Sequence, residues 1–144
     1  MSSFISIITA IHMAALSQIE SGDRDEAVGR NGELSRYQVM PSVAMSFMER
    51  SGELRGMRLT VGWEQNRAIA DRLARAIWQR RLLDFQMRYH RNPSITELYL
   101  CWHRPGRPTD PTTSEYERAC RFANVVHQLE AGPKDEQSQN KPHA

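Results

Sequence analysis

The feature that most constrains this chain is the interval at which its apolar side chains return. Between Trp63 and His90, the residues Ile69, Leu73, Ile77, Trp78, Leu82, Phe85 and Tyr89 recur every three or four positions, with arginines between them. That is the pattern of a long helix burying one stripe. Asn92-Pro93 ends it, because proline disfavours a helical residue before it. A second stripe of Phe4, Ile7, Ile8, Ile11, Ala15 and Ile19, widened by Ile5, Met13 and Leu16, predicts a first core helix over 4–19, with Gly22 as its stop. Pro41 suits the first turn of a helix over Pro41–Arg50. Ser94-Ile95-Thr96-Glu97 is a capping box that opens a short helix from Ile95 to about Trp102. Thr113 or Ser114 caps a last helix to about Leu129, with Tyr116, Ala119, Cys120, Ala123, Val126 and Leu129 inward. Met40, Met45 and Met48 read as core fillers, and Trp63 and Trp78 as packing residues. A chain so patterned is mainly α.

At 144 residues it fits one domain, since domains run to roughly 100–200 residues. Residues 1–130 form that domain. The polar stretch 131–144, with two prolines, has nothing to bury and reads as a disordered tail. The opening MSSFISIITAIHMAAL lacks a basic start, and Ser6, Thr9 and His12 interrupt its apolar run. It therefore reads as core helix, not as a clear signal peptide, and is too polar for stable insertion in a membrane. The net charge of +2 and arginines spread over several elements argue against nucleic acid as a partner. Cys101 and Cys120 have no zinc spacing, so no metal or cofactor is expected. They are either buried thiols or, in an exported protein, a disulfide. The expected state is a monomer.

Three separated segments carry chemistry together. Ser17 through Gly22 places the carboxylate of Glu20 where an apolar helix runs out. Gly32 through Pro41 lies in a long, charged, glycine-bearing loop, and a long loop in a compact domain is usually functional. Leu98 through Gly106 closes a helix into a proline-rich turn that cannot be helical. Cleaving a glycosidic bond requires a carboxyl that holds its proton near neutrality, which apolar walls achieve by disfavouring the anion. Glu20 follows Ile19 and lies above Leu16, so one side of it faces the core. Taken alone, a glutamate at a helix end is ordinarily a solvated residue.

At these segments the chain resembles the lysozyme-like lytic transglycosylases of soluble-transglycosylase type. Glu20-Ser21, Gln38-Val39-Met40-Pro41 and Trp102-His103 through Gly106 stand in the family's order with compatible spacing, over roughly residues 5 to 130. Ser35-Arg36-Tyr37 replace the family's Gly-Leu-Met, Trp102-His103 replace its Tyr-Asn, and Arg104-Pro105 are inserted before Gly106. The resemblance implies a lysozyme-like single domain that cleaves β-1,4 MurNAc-GlcNAc bonds of peptidoglycan glycan strands. Glu20 would be the single acid and base, and the place of work the periplasm or cell wall. It implies polar contacts to the sugar from Ser21 and Gln38, whose side chains are as readily loop-holding hydrogen bonds. Tyr37 would line the cleft or pack as core, and Trp102 would be a sugar platform, a core residue or both. His103 would bring a titrating charge close to Glu20. Glu33 is either a solvated loop charge, with Asp23, Asp25 and Glu26, or the second carboxylate of a lysozyme-type hydrolase. An inactive glycan-binding or scaffold domain would keep the same fold.

Overall fold

The computed structural model describes residues 5–50, 54 and 59–132. Among them are five α-helices and no strand: α1 (Ala10–Ser21), α2 (Pro41–Arg50), α3 (Arg67–Tyr89), α4 (Ile95–His103) and α5 (Thr113–Glu130). The expected tail lies outside the described residues except for Ala131 and Gly132. No described helix is long and apolar enough to cross a membrane.

The helix starts show local chemistry overriding the apolar stripe. α1 begins at Ala10 and not at Phe4, because Thr9 caps it. The Thr9 hydroxyl accepts from the His12 amide at 3.3 Å, and His12 Nδ1 accepts from the Thr9 amide at 3.0 Å. Burial lowers the His12 pKa, which keeps Nδ1 free of a proton and able to accept. Residues 5–9 are therefore not helical, and Ile7 is exposed. The long stripe likewise divides. Trp63–Gln65 forms a 3-10 turn, and Asn66 then caps α3 by accepting from the Ile69 amide. Thr112, not Thr113 or Ser114, caps α5 in a box with Glu115. The Ser94–Glu97 box opens α4 as its spacing predicts.

Trp78 ties the core together from α3. It is fully buried and meets His12 of α1, Trp102 of α4 and Phe122 of α5 edge-on at 5.8–6.3 Å between centroids. Its indole N–H donates to the Leu98 carbonyl at 2.9 Å. Ala15, Leu16, Leu73, Ile77, Leu82, Leu98, Tyr99 and Val126 fill the space around it. Tyr116, Met40 and Met45, expected inward, are exposed. Each sits on a helix turn or flank that the core does not reach, and their neighbours Ala119, Val39 and Ala44 take the buried positions instead. Cys101 and Cys120 are free thiols, and burial pushes the Cys101 thiol up to about 12.

Candidate active site

α1 ends where Gly22 turns left-handed (φ 63°), a conformation glycine adopts without strain. The Glu20 side chain, two residues earlier, is only 8% exposed. Its carboxyl is not walled by apolar groups alone, as the sequence leads one to expect. Tyr99 of α4 donates its hydroxyl to Oε1 at 2.9 Å, and Arg118 of α5 donates Nη2 to Oε2 at 3.1 Å. The same Arg118 nitrogen reaches the Ile19 carbonyl at 3.4 Å. Burial, and then the charge of Glu20, push the Tyr99 pKa well above that of an ordinary tyrosine, so the phenol remains a donor.

This carboxyl opens onto a cleft of about 410 Å³. One wall is the loop before α2, contributing Gly29, Glu33, Gln38 and Met40, with Arg30 at the exposed rim. The other is the end of α4, contributing Trp102, His103 and Pro105, with Arg81 and Arg118 beneath. The loop is held by paired bonds between Leu34 and Val39 at 2.7 and 2.8 Å, and by a 2.7 Å bond from the Gly29 amide to the Glu33 carbonyl. Arg36 pairs with Asp25 at 2.8 Å, and Ser17 donates to Asp23 at 2.6 Å, so these two acids are loop-holders. Gly29 leaves room for two side-chain ends: a Cβ there would displace the Glu33 carboxylate and the Gln38 amide oxygen.

Of the residues singled out from sequence, Glu20, Glu33, Gln38, Trp102 and His103 meet in the cleft, and Ser21 and Tyr37 do not. The Ser21 hydroxyl is spent at the helix end, donating to the Ser17 carbonyl and accepting from the Arg24 amide. Tyr37 is buried and its hydroxyl donates to Asp71 of α3, which clamps the loop to the core. Gln38, left-handed at φ 56°, donates its amide to the carbonyls of Ala27 and Ser35, and thus holds the loop while bordering the cleft. Trp102 both packs on Trp78 and lines the cleft, with Arg81 5.3 Å from its ring centre. The His103 ring stacks on Tyr99 at 5.7 Å between centroids, and its Nε2 lies 3.6 Å from Glu115.

Tyr99 and Arg118 are the site residues that sequence reasoning missed. Tyr99 reads as one more apolar position of α4, and Arg118 as one more solvated arginine of α5. The available signal was their register, since each lies on the turn of its helix that also carries core residues. A larger trough of about 910 Å³ runs between α2 and α3 and shares Val43, Ile77 and Arg81 with the cleft. Among the described residues lining it, the carboxylate is Asp84, an exposed side chain paired with Arg80, whereas Glu20 is nearly buried. No protein-family model, curated protein or solved structure matches this chain.

Proposed function

We propose that the chain is a lysozyme-like lytic transglycosylase that cleaves the β-1,4 MurNAc-GlcNAc bonds of peptidoglycan, with Glu20 as its acid and base. The observation that carries this reading is a nearly buried carboxyl at the end of α1, opening onto a cleft bounded by the Gln38 loop and Trp102. In the reaction, Glu20 gives its proton to the glycosidic oxygen as the C1–O bond breaks and the bond's electron pair goes to the leaving sugar. The muramic 6-hydroxyl then attacks C1 and returns its proton to Glu20, leaving a 1,6-anhydro ring. The substrate's acetamido group stabilises the cationic centre, so no second carboxylate is required. The exposed edge of Trp102 gives the cleft an apolar border beside Glu20, and the trough continuing past Val43 and Ile77 suits a polymer. Such an enzyme acts in the periplasm or at the cell wall.

A hydrolytic version is favoured by one observation: Glu33 lines the same cleft, where it would activate water as an inverting hydrolase's second carboxylate does. Digestion of purified sacculi by wild type and Glu20→Gln, with products read by mass spectrometry, separates these. Anhydro-muramic ends released by wild type alone support transglycosylation, whereas reducing muramic ends transfer the reaction to hydrolysis. Equal release by both proteins removes Glu20 as the acid, and release by neither removes the enzyme.

A further inference from the structure

We infer that Arg118 reads a carboxylate on the substrate glycan, letting go of Glu20 as it does so; the second half rests on Glu20 being the acid. The first observation is the pairing itself. Tyr99 holds Oε1 and Arg118 holds Oε2, so the guanidinium N–H occupies an oxygen that a working acid needs for its own proton. The second is that the fork is half used. Nη2 is on Glu20, while Nε is buried and donates to nothing among the described residues. A guanidinium with an unspent donor on the same edge is short of the two-pronged carboxylate pairing that its geometry favours. The third is access: the Arg118 side chain is 35% exposed and borders the cleft.

Its neighbours are not equivalent. Arg81 is half-buried, with Nη1 committed to the Trp102 carbonyl at 2.7 Å. Arg104 pairs with Glu115 at 3.2 Å, outside the cleft lining. Arg118 is thus the cleft cation whose partner is the candidate acid. An acidic substituent beside the scissile bond, such as a free lactyl carboxylate on a muramic residue, offers the exposed side of the guanidinium a charged partner. Taking it frees Oε2 of Glu20. Arg118 is a positioning residue in this account and a determinant of preference for acidic over neutral strands.

The test needs no variant at first. Titration calorimetry compares the disaccharide GlcNAc-β-1,4-MurNAc, which lacks the scissile MurNAc-GlcNAc bond, with its lactyl methyl ester. The acid is expected to bind about tenfold tighter, the scale of one charge-assisted pair. Arg118→Met is expected to erase the difference, and Arg118→Lys to keep part of it. Equal binding of acid and ester, binding of neither, or a preference that survives Arg118→Met overturns the inference. Its fate is separable from that of the proposed enzyme. If sacculi are not cut but the acid preference holds, the enzyme falls and Arg118 still reads a carboxylate. If sacculi are cut but acid and ester bind alike, only the Arg118 inference falls.

Discussion

Replacing Tyr99 by Phe isolates the contact that joins α4 to the end of α1. The ring of Tyr99 is fully buried, touching Phe122 at 5.4 Å and His103 at 5.7 Å between centroids. Phe keeps this packing and opens no cavity. What is lost is the 2.9 Å bond to Glu20 Oε1. A hydrogen bond to a charged group contributes about 1.5–3 kcal/mol, and Glu20 at 8% exposure receives little replacement from solvent. Arg118 has an unspent Nε close by, so part of the loss is recovered by a tighter fork. The expected destabilisation therefore lies at the low end, about 1.5 kcal/mol, which lowers the folding equilibrium roughly tenfold. Urea unfolding followed by tryptophan fluorescence measures it, with Trp78 and Trp102 as buried reporters. Tyr116→Phe, at an exposed site of α5, serves as the control that leaves the midpoint in place. A Tyr99→Phe shift below about 0.5 kcal/mol, the range of an ordinary surface substitution, would refute the assignment of that hydroxyl to Glu20.

Gly29→Ala should leave the melting temperature near that of wild type while reducing glycan cleavage or binding. The atoms a Cβ displaces are the side-chain ends of Glu33 and Gln38, not backbone, and both border the cleft; unchanged function on sacculi would count against the loop wall. Stability should fall at alkaline pH. Tyr37 and Tyr99 are held protonated, by burial first, above their ordinary pKa. Above about pH 10 the unfolded chain therefore sheds protons that the native state retains, and each tyrosine contributes a slope of up to about 1.4 kcal/mol per pH unit. Tyr37→Phe should flatten that limb, and urea midpoints unchanged between pH 9 and 11 would exclude the mechanism. On the acid side the sign is the same for His12, Glu97 and Glu115, whose folded pKa values lie below ordinary. Their contribution is present above their unfolded values and lost as pH falls, first for His12 below about 6.5 and then for the glutamates below about 4.3. A midpoint flat from pH 7 to 5 would show that the Thr9–His12 cap does not depend on a neutral imidazole.

Pro41 and the Ser94–Glu97 box, local signals with local causes, located α2 and α4 nearly to the residue, whereas periodicity had no such marker elsewhere. It overran α1 and α3, where Thr9 and Asn66 compete for the amides of the first turn and an apolar stripe carries no trace of that competition. The pairing of Glu20 with the Gln38 loop was legible as two motifs, and the chain does bring both to one cleft with Trp102. Spacing is silent on which way a side chain turns. Tyr37 turned to Asp71 and Ser21 to its own helix, since each hydroxyl found a nearer partner than the cleft.

The helical character and the position of a carboxylate at the end of the first helix follow from residues close together in the chain. The surroundings of that carboxylate do not. Tyr99 and Arg118 lie 79 and 98 positions away from Glu20, and only the packing of α4 and α5 against the end of α1 delivers a phenol and a guanidinium to its two oxygens. A local pattern states which groups a segment carries; the electrostatics felt by a buried group come from whatever the rest of the chain places within a few ångströms of it.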